Sequence, residues 1–476
     1  MKVTDSKPTY AIVGAGVAGA TAALHLAELG AKVLLIEKGP SLVNGPPICH
    51  LHAGGNLYRE ISQEQCIELL EQSIETVRLF PHTLNKRPTV IAVPHSDPGL
   101  PEDLVERLQV ISNCYRHLVE RDERNRVLGD PDCYYKLYSK QQLTQLSNRQ
   151  QPDNPSTVDD WVIPFAQHSD LEQLKYPVVV VQEYGWSVFR LAASVSLALE
   201  ALPNCQVYTQ TALRSVEECG SGWALECESA QGEHNRFYAD FLINACGYET
   251  GKLDDWANKP RQRLVEFKAA YVTHWPDCDQ QWPEVVFHGP RGTENGMAQL
   301  TPYPNGVFQL HGMTEGITLF PDGLVASNAL SSQPQLPMRL SNKIEKGWQN
   351  EQIIERSSQA VRHLSQYMPS YSTAVGVSKP LFGAQQIPGD NVTLRSADVT
   401  FAEQNYVRIE VVKGSSALQA AKHIASRWLT SDLGTPTDIE LTHPVTLSLR
   451  ASDVEKKARA LAVERGYPAE LALAID

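Results

Sequence analysis

An α/β fold is what this sequence predicts, on three observations. The apolar run Tyr10–Val13 reads as a buried strand, opens onto Gly14-Ala-Gly16-Val-Ala-Gly19, and is followed by the alanine-rich stretch Ala18–Leu29, a helix by composition. A second apolar run, Val33–Ile36, ends at Glu37, 18 residues after Gly19. Later, β-rich blocks alternate with amphipathic stretches to the end of the chain. Strand, glycine turn, helix and acid-tipped strand make the Rossmann-like βαβ unit that holds a dinucleotide. Gly14 allows the tight turn, Gly16 admits a diphosphate to the backbone, and Gly19 lets the helix lie close to the strand. The helix start then presents unpaired N–H groups and a positive dipole end, and Glu37 is placed to accept from a ribose diol.

The remaining elements follow in order. A loop rich in Gly and Pro, Lys38 to Gly55, leads to a helix over Ser62–Phe80, where Cys66, Leu69, Leu70, Ile74, Val77 and Phe80 fall near a 3.6 period. A helix near Glu102–Arg121, a polar surface loop Asn148–Thr157, a buried strand Pro177–Gln182 and a helix Gly185–Leu202 come next. One strand is predicted over Gln206–Val216, a hairpin from Gly222–Cys227 and Asn235–Asp240, and a short buried strand in Phe241–Gly247. A second β-rich block spans 263–320 and includes Gly306–Gly312. A helix over Lys343–Tyr367, a strand from Tyr406, a turn at Lys413–Ser416 and a helix Ala417–Leu429 follow, with an amphipathic helix near Asp453–Glu464.

Composition excludes several classes of function. The net charge of −13 over 476 residues repels phosphate backbones, so nucleic acid is an unsuitable partner. No apolar run reaches membrane-span length, the first residues carry no apolar signal region, and the nine scattered cysteines form no CxxC pair, which fits a cytoplasmic setting. No His, Cys or carboxylate cluster has metal-ligand spacing, so no metal is expected. There is one GxGxxG unit and no second. If the cofactor is a flavin, its hydride then comes from an organic substrate and not from a bound nicotinamide.

The chain resembles FAD-dependent oxidoreductases of the D-amino-acid-oxidase type. Three stretches carry the resemblance: Gly14–Glu37; the block Val207–Val216, Gly222–Cys227 and Leu242-Ile-Asn-Ala-Cys-Gly247; and the turn Lys413-Gly-Ser-Ser416 with its helix. It implies a discontinuous FAD-binding domain (1–60, 185–262 and 378–435), a mainly antiparallel α+β substrate domain (61–184 and 263–377) and a helical tail (436–476). It also implies non-covalent FAD held at Gly14, Gly16, Val17, Ala18, Gly19, Glu37, Lys38, Asn44, Leu213, Ala245, Gly247, Gly383, Lys413, Gly414, Ser415 and Ser416. Cys49, His50 and His52 cluster in the early loop, where some relatives attach the flavin covalently. Many relatives carry Gly-x-Arg-Pro near the flavin, whereas this chain has Gly383-Ala-Gln385-Gln386 with no arginine. The turn His52-Ala-Gly-Gly55 is most similar to that of the hydroxy-acid and glycerophosphate dehydrogenases.

The chemistry this implies needs a base and a cation. Histidine titrates near working pH, and His52 and His311 are the two candidates for the base. Lys413 is placed to stabilise a reduced flavin. A planar, two-pronged donor suits a substrate carboxylate, which singles out Arg263, Arg291 and Arg395, with Tyr303 as a further contact. The leading expectation is oxidation of a small 2-hydroxy acid, with quinone or oxygen as electron acceptor. An amino-acid or secondary-amine oxidase and a non-catalytic FAD-binding subunit are the alternatives. A quinone would require contact with a membrane, the inner face being the expected one, and the amphipathic helix near Asp453–Glu464 is either that contact or a plain packing helix, which explains it at least as well.

Overall fold

The computed structural model describes residues 7–46, 50–55, 59, 61–403, 405–429 and 438–475. Thr9–Val13 lies at the middle of a six-stranded sheet, between Lys32–Ile36 and Phe241–Asn244, both parallel to it. Cys205–Tyr208 extends one edge, and Tyr406–Ile409 and Val399–Ala402 extend the other. The helix Val17–Glu28 is so rich in alanine and leucine that Gly19 through Ala27 are all buried. It packs between the sheet and the helices Ala417–Trp428 and Val188–Glu200. The Gln63–Leu79 helix begins where expected, with the Ser62 hydroxyl accepting from the Gln65 amide at 3.3 Å, and Glu102–Arg121 is helical throughout.

A second sheet of ten strands is built mainly from antiparallel pairs. Its long central strand, Arg263–His274, pairs with Val307–Gly312, Leu324–Ala326 and Leu381–Pro388. Leu381–Pro388 thus joins the second sheet, although it lies inside the 378–435 segment expected with the first. Along these strands the faces alternate. Tyr271, Leu310, Leu300, Val285 and Phe287 join one hydrophobic cluster, while Ala270, Val272, Val307 and Leu381 face the other sheet's core.

Three expected elements are interrupted, each for a local reason. The strand over Gln206–Val216 breaks at Gln210, whose φ of 50° is left-handed; Cys205–Tyr208 stays in the parallel sheet and Thr211–Cys219 turns into a three-stranded antiparallel one. The helix over Lys343–Tyr367 is two, Met338–Lys346 and Asn350–Ser365, parted at Gly347 with φ 85°. The helix expected from Gly185 starts at Val188, because Gly185–Trp186 pairs with Leu84–Asn85. The Ala451–Glu464 helix buries Val454, Ala458, Leu461 and Ala462 against Val188–Glu200. This corrects the expectation that its apolar face meets a membrane: that face is already covered. No helix among the described residues is long and apolar enough to cross a membrane.

Candidate active site

The first half of the site is a backbone cradle. Gly14 stands at φ 93°, and a Cβ there would lie 2.5 Å from the Ala245 carbonyl oxygen. A Cβ on Gly19 would lie 1.9 Å from the Gly14 oxygen and 2.9 Å from the Ala245 Cβ. Both glycines therefore exist to let turn, helix and the end of the Phe241–Asn244 strand close on one another. Gly16 is the opposite case, since a Cβ there meets nothing within 4 Å. Its open side lies at the helix start, where Val17 and Ala18 form the first turn and N–H groups favour a diphosphate. The Glu37 carboxylate accepts from the Ala15 amide at 2.7 Å and the Gly39 amide at 2.6 Å, so it braces the turn as well as tipping the strand.

The loop after Glu37 folds back over this cradle. Val43 takes φ 55°, unusual for a β-branched residue, and its amide donates to the Ala15 carbonyl at 2.7 Å. Arg465, from beyond the last helix, donates to the Val43 and Leu42 carbonyls, both at 2.7 Å, and to the Ser41 hydroxyl at 3.0 Å. The tail is thus a clamp on the cofactor loop. Asn44 hydrogen-bonds Ser41 beneath it.

The Lys413–Ser416 turn supplies a second approach. A Cβ on Gly414 would meet the Trp186 ring at 2.5 Å, and the Ser415 carbonyl accepts from the Thr76 hydroxyl at 2.9 Å. The Ser416 hydroxyl donates to Gln72 at 2.6 Å, fixing the turn on the Gln63–Leu79 helix. The Ser415 Oγ is buried with no hydrogen-bond partner among the described residues, the state expected of a group that awaits a ligand. A glycine cradle with one open side, an acid at the strand end and a buried hydroxyl without a partner fit a flavin dinucleotide.

The other half of the site is a polar stripe on the face of the ten-stranded sheet that looks toward the first sheet. Gln299 lies opposite His311, Thr301 opposite Gln309, Lys268 opposite Gly383 and Glu266 opposite Gln385, and residues so paired share a face. His311 and Lys268 lie deep in the protein yet keep accessible surface, as side chains lining an internal cleft do. Burial, with the charges of His50, Lys268 and Lys413, depresses the His311 imidazole to about 3, so the ring is neutral at ordinary pH. Its Nε2 has no hydrogen-bond partner among the described residues. His52 takes φ 55° and is held well below the usual histidine range by burial and then by Lys413, whose Nζ is 3.4 Å from its Nε2. The structure therefore brings His52, His311 and Lys413 together.

Sequence reasoning missed the residues behind them. Glu284 is 2 % exposed and pairs with the buried Arg87 at 2.6 Å, while His50 Nδ1 lies 2.9 Å from its other oxygen. Burial alone would raise the Glu284 carboxyl, but His50 and Arg87 hold it far below the carboxylate range. The alternation Gln299-Leu-Thr301 and Phe308-Gln-Leu-His311 was the available signal, since it puts polar side chains on one face of buried strands. The Glu266 carboxylate pairs with Lys268 at 2.6 Å and with Arg291. Burial and the nearby Arg291 and Arg395 push the Lys268 ammonium down, which marks this corner as crowded with positive charge.

Other expected residues lie elsewhere. Arg263 is 0 % exposed, and its guanidinium meets Asp254 at 2.5 Å and Glu410 at 3.4 Å. With Arg408, 2.7 Å from Asp254, this network ties the two sheets together, so Arg263 is a structural cross-link and not a substrate contact. Lys38 pairs with Glu249 at the surface, Leu213 sits in the three-stranded sheet opposite Cys227, and Gly247 takes φ 59° just past the cradle. Gly383 is overlain by the Pro46 ring, 3.0 Å from where its Cβ would be. Tyr303 packs at a turn against the larger hydrophobic cluster. Cys49 lies outside the described residues.

Comparison with known proteins agrees with this geometry. The family described as DAO, FAD dependent oxidoreductase, matches residues 9–379. No curated protein matches the chain. Among solved structures, the glycine oxidase of Geobacillus kaustophilus is 14% identical with a TM-score of 0.54, covering 88% of this chain and 94% of that one. The glycerol-3-phosphate dehydrogenase of Bacillus halodurans, complexed with FAD, is 12% identical with a TM-score of 0.55, covering 98% and 74%. The L-amino acid deaminase of Proteus vulgaris is 14% identical with a TM-score of 0.55, covering 94% and 98%. At these identities the likeness is one of fold, and the family match over most of the chain gives the rest: this protein belongs to the DAO family of FAD-dependent oxidoreductases.

Proposed function

We propose that this enzyme oxidises a small 2-hydroxy acid to the corresponding 2-oxo acid. FAD, when bound, supplies the ring that takes the hydride. The observation that carries the reading is the His311 ring on the polar face, its Nε2 without a hydrogen-bond partner among the described residues and burial disfavouring its charged form. An alcohol needs a base to take its O–H proton as the C–H bond breaks, whereas a neutral amine can lose hydride without one. His311 or His52 takes that proton, although burial and nearby cations push both rings below the working-pH titration expected of them. The corner formed by Lys268, Arg291 and Arg395 holds the substrate carboxylate, in exchange for part of their hold on Glu266. FAD is held without a covalent bond, through the cradle and the Lys413–Ser416 turn. Oxygen or a quinone removes the electrons.

The test is anaerobic mixing of the FAD-loaded enzyme with a panel of substrates. L-malate, L-2-hydroxyglutarate or L-lactate bleaches the flavin if the reading holds. Bleaching only by glycine, sarcosine, L-proline or other amines overturns it in favour of an amine oxidase.

A further inference from the structure

The last described segment, 438–475, is a tail in sequence, yet it is fastened to the cofactor half at several points. Glu28, at the end of the helix that begins in the glycine turn, accepts from the Val445 and Thr446 amides at 2.8 and 3.0 Å and from the Thr446 hydroxyl at 2.8 Å. His25 of the same helix lies 2.9 Å from His443. The Ala451–Glu464 helix then closes in a glycine turn. Gly466 takes φ 72°, its amide donates to the Val463 carbonyl, and the Tyr467 amide donates to the Ala462 carbonyl, both at 2.9 Å. This turn fixes Arg465 at the helix end, where a cation is favoured. Among the described residues, the side-chain hydrogen bonds of Arg465 all go to the Leu42 and Val43 carbonyls and the Ser41 hydroxyl. Leu42 and Val43 are buried. Val43 is also β-branched at a left-handed φ of 55°, a conformation that persists only where its surroundings hold it. The Ala15 carbonyl, within the glycine turn, accepts its amide on one side, and Arg465 holds its carbonyl on the other. The loop that contains this stretch runs from Glu37 to Pro46, which lies over Gly383, opposite Lys268 on the polar face.

We propose that Arg465 is a positioning residue of the FAD site: it holds the Ser41–Asn44 stretch in the conformation that receives the cofactor, so that the affinity for FAD is set from the far end of the chain as well as from the glycine turn. The inference needs FAD binding and is independent of which substrate is oxidised. A guanidinium suits the task because its planar fork reaches two adjacent carbonyls and a hydroxyl at once, which a single ammonium does not. Hydrogen bonds from a charged donor are also stronger than those between neutral groups. Without them the Leu42 and Val43 carbonyls lose a partner, and Val43 keeps only its tie to Ala15. The stretch then samples other backbone conformations, and FAD has to order it on binding, which weakens the complex.

The experiment follows FAD release from the purified holoenzyme, diluted into buffer without cofactor, by the rise in flavin fluorescence. FAD titration of the stripped full-length protein gives the dissociation constant, and far-UV circular dichroism reports folding. Arg465→Met is expected to raise the FAD dissociation constant about 10–100-fold, mainly through faster release, with native circular dichroism. Arg465→Lys should give an intermediate value. Tyr467→Phe is the control, because it removes a tail bond that lies outside the cofactor loop, from the Tyr467 hydroxyl to the Pro380 carbonyl at 3.1 Å. It should lower the melting temperature and keep the parent affinity for FAD. Parent affinity in Arg465→Met overturns the proposal, whatever happens to thermal stability. An equal weakening in Tyr467→Phe also overturns it, since affinity would then follow docking of the tail and not the loop. Parent affinity in Arg465→Lys does the same, and that variant decides alone if Arg465→Met does not fold.

Discussion

The glycine cradle and the polar sheet face do complementary work by opposite means. Between Gly14 and Glu37 the candidate cofactor site is made largely by backbone: two glycines permit an approach so close that an added Cβ would lie 1.9 or 2.5 Å from a carbonyl oxygen. The polar face is made by side chains alone, brought together from His50, Arg87, Lys268, Glu284, Gln299, His311 and Lys413. A cofactor common to many proteins can be bound by a local rule, whereas a particular substrate needs a particular constellation. The first is intolerant of an added atom at Gly14 and Gly19.

Substitutions can break this contrast. The largest effect is expected in the cradle, where Gly19→Val places a branched side chain against the Gly14 carbonyl and Ala245. The variant should purify colourless and take up no FAD, read from its visible spectrum. Gly16→Ala sharpens the point, because its methyl group meets open space: the variant should fold as the parent does and bind FAD more weakly. A smaller and different effect is expected at Arg263. Arg263→Met takes one cation from the buried Asp254 and Glu410, which keep Arg408 and Arg261, and should cost about 1–3 kcal/mol in denaturant unfolding with substrate affinity unchanged. A raised KM at full stability would instead return Arg263 to the substrate site.

The same contrast explains what could be read from the sequence. The cradle was legible because its residues are contiguous and their spacing has one physical meaning; Gly14, Gly16, Gly19 and Glu37 stand where that meaning requires. The Lys413–Ser416 turn was singled out by the family resemblance alone, and the structure sets it on the Gln63–Leu79 helix. His52 and His311 could be named one at a time, but nothing local joins them to Glu284 or Arg87, whose meeting depends on the register of strands more than a hundred residues apart. Arg263 was misread because an arginine on a substrate-side strand looks alike in sequence whether it faces a cleft or Asp254. Breaks at Gln210 and Gly347 escaped because a single left-handed residue leaves the flanking pattern intact.

The central claim is that the cradle binds and the polar face reacts, and anaerobic flavin reduction measured on His311→Ala and His52→Ala beside the parent tests it most directly. At least one variant should keep its full complement of FAD and its yellow colour while its reduction by a 2-hydroxy acid falls by about 10²–10⁴. Reduction at the parent rate in both, with FAD bound, would contradict the claim.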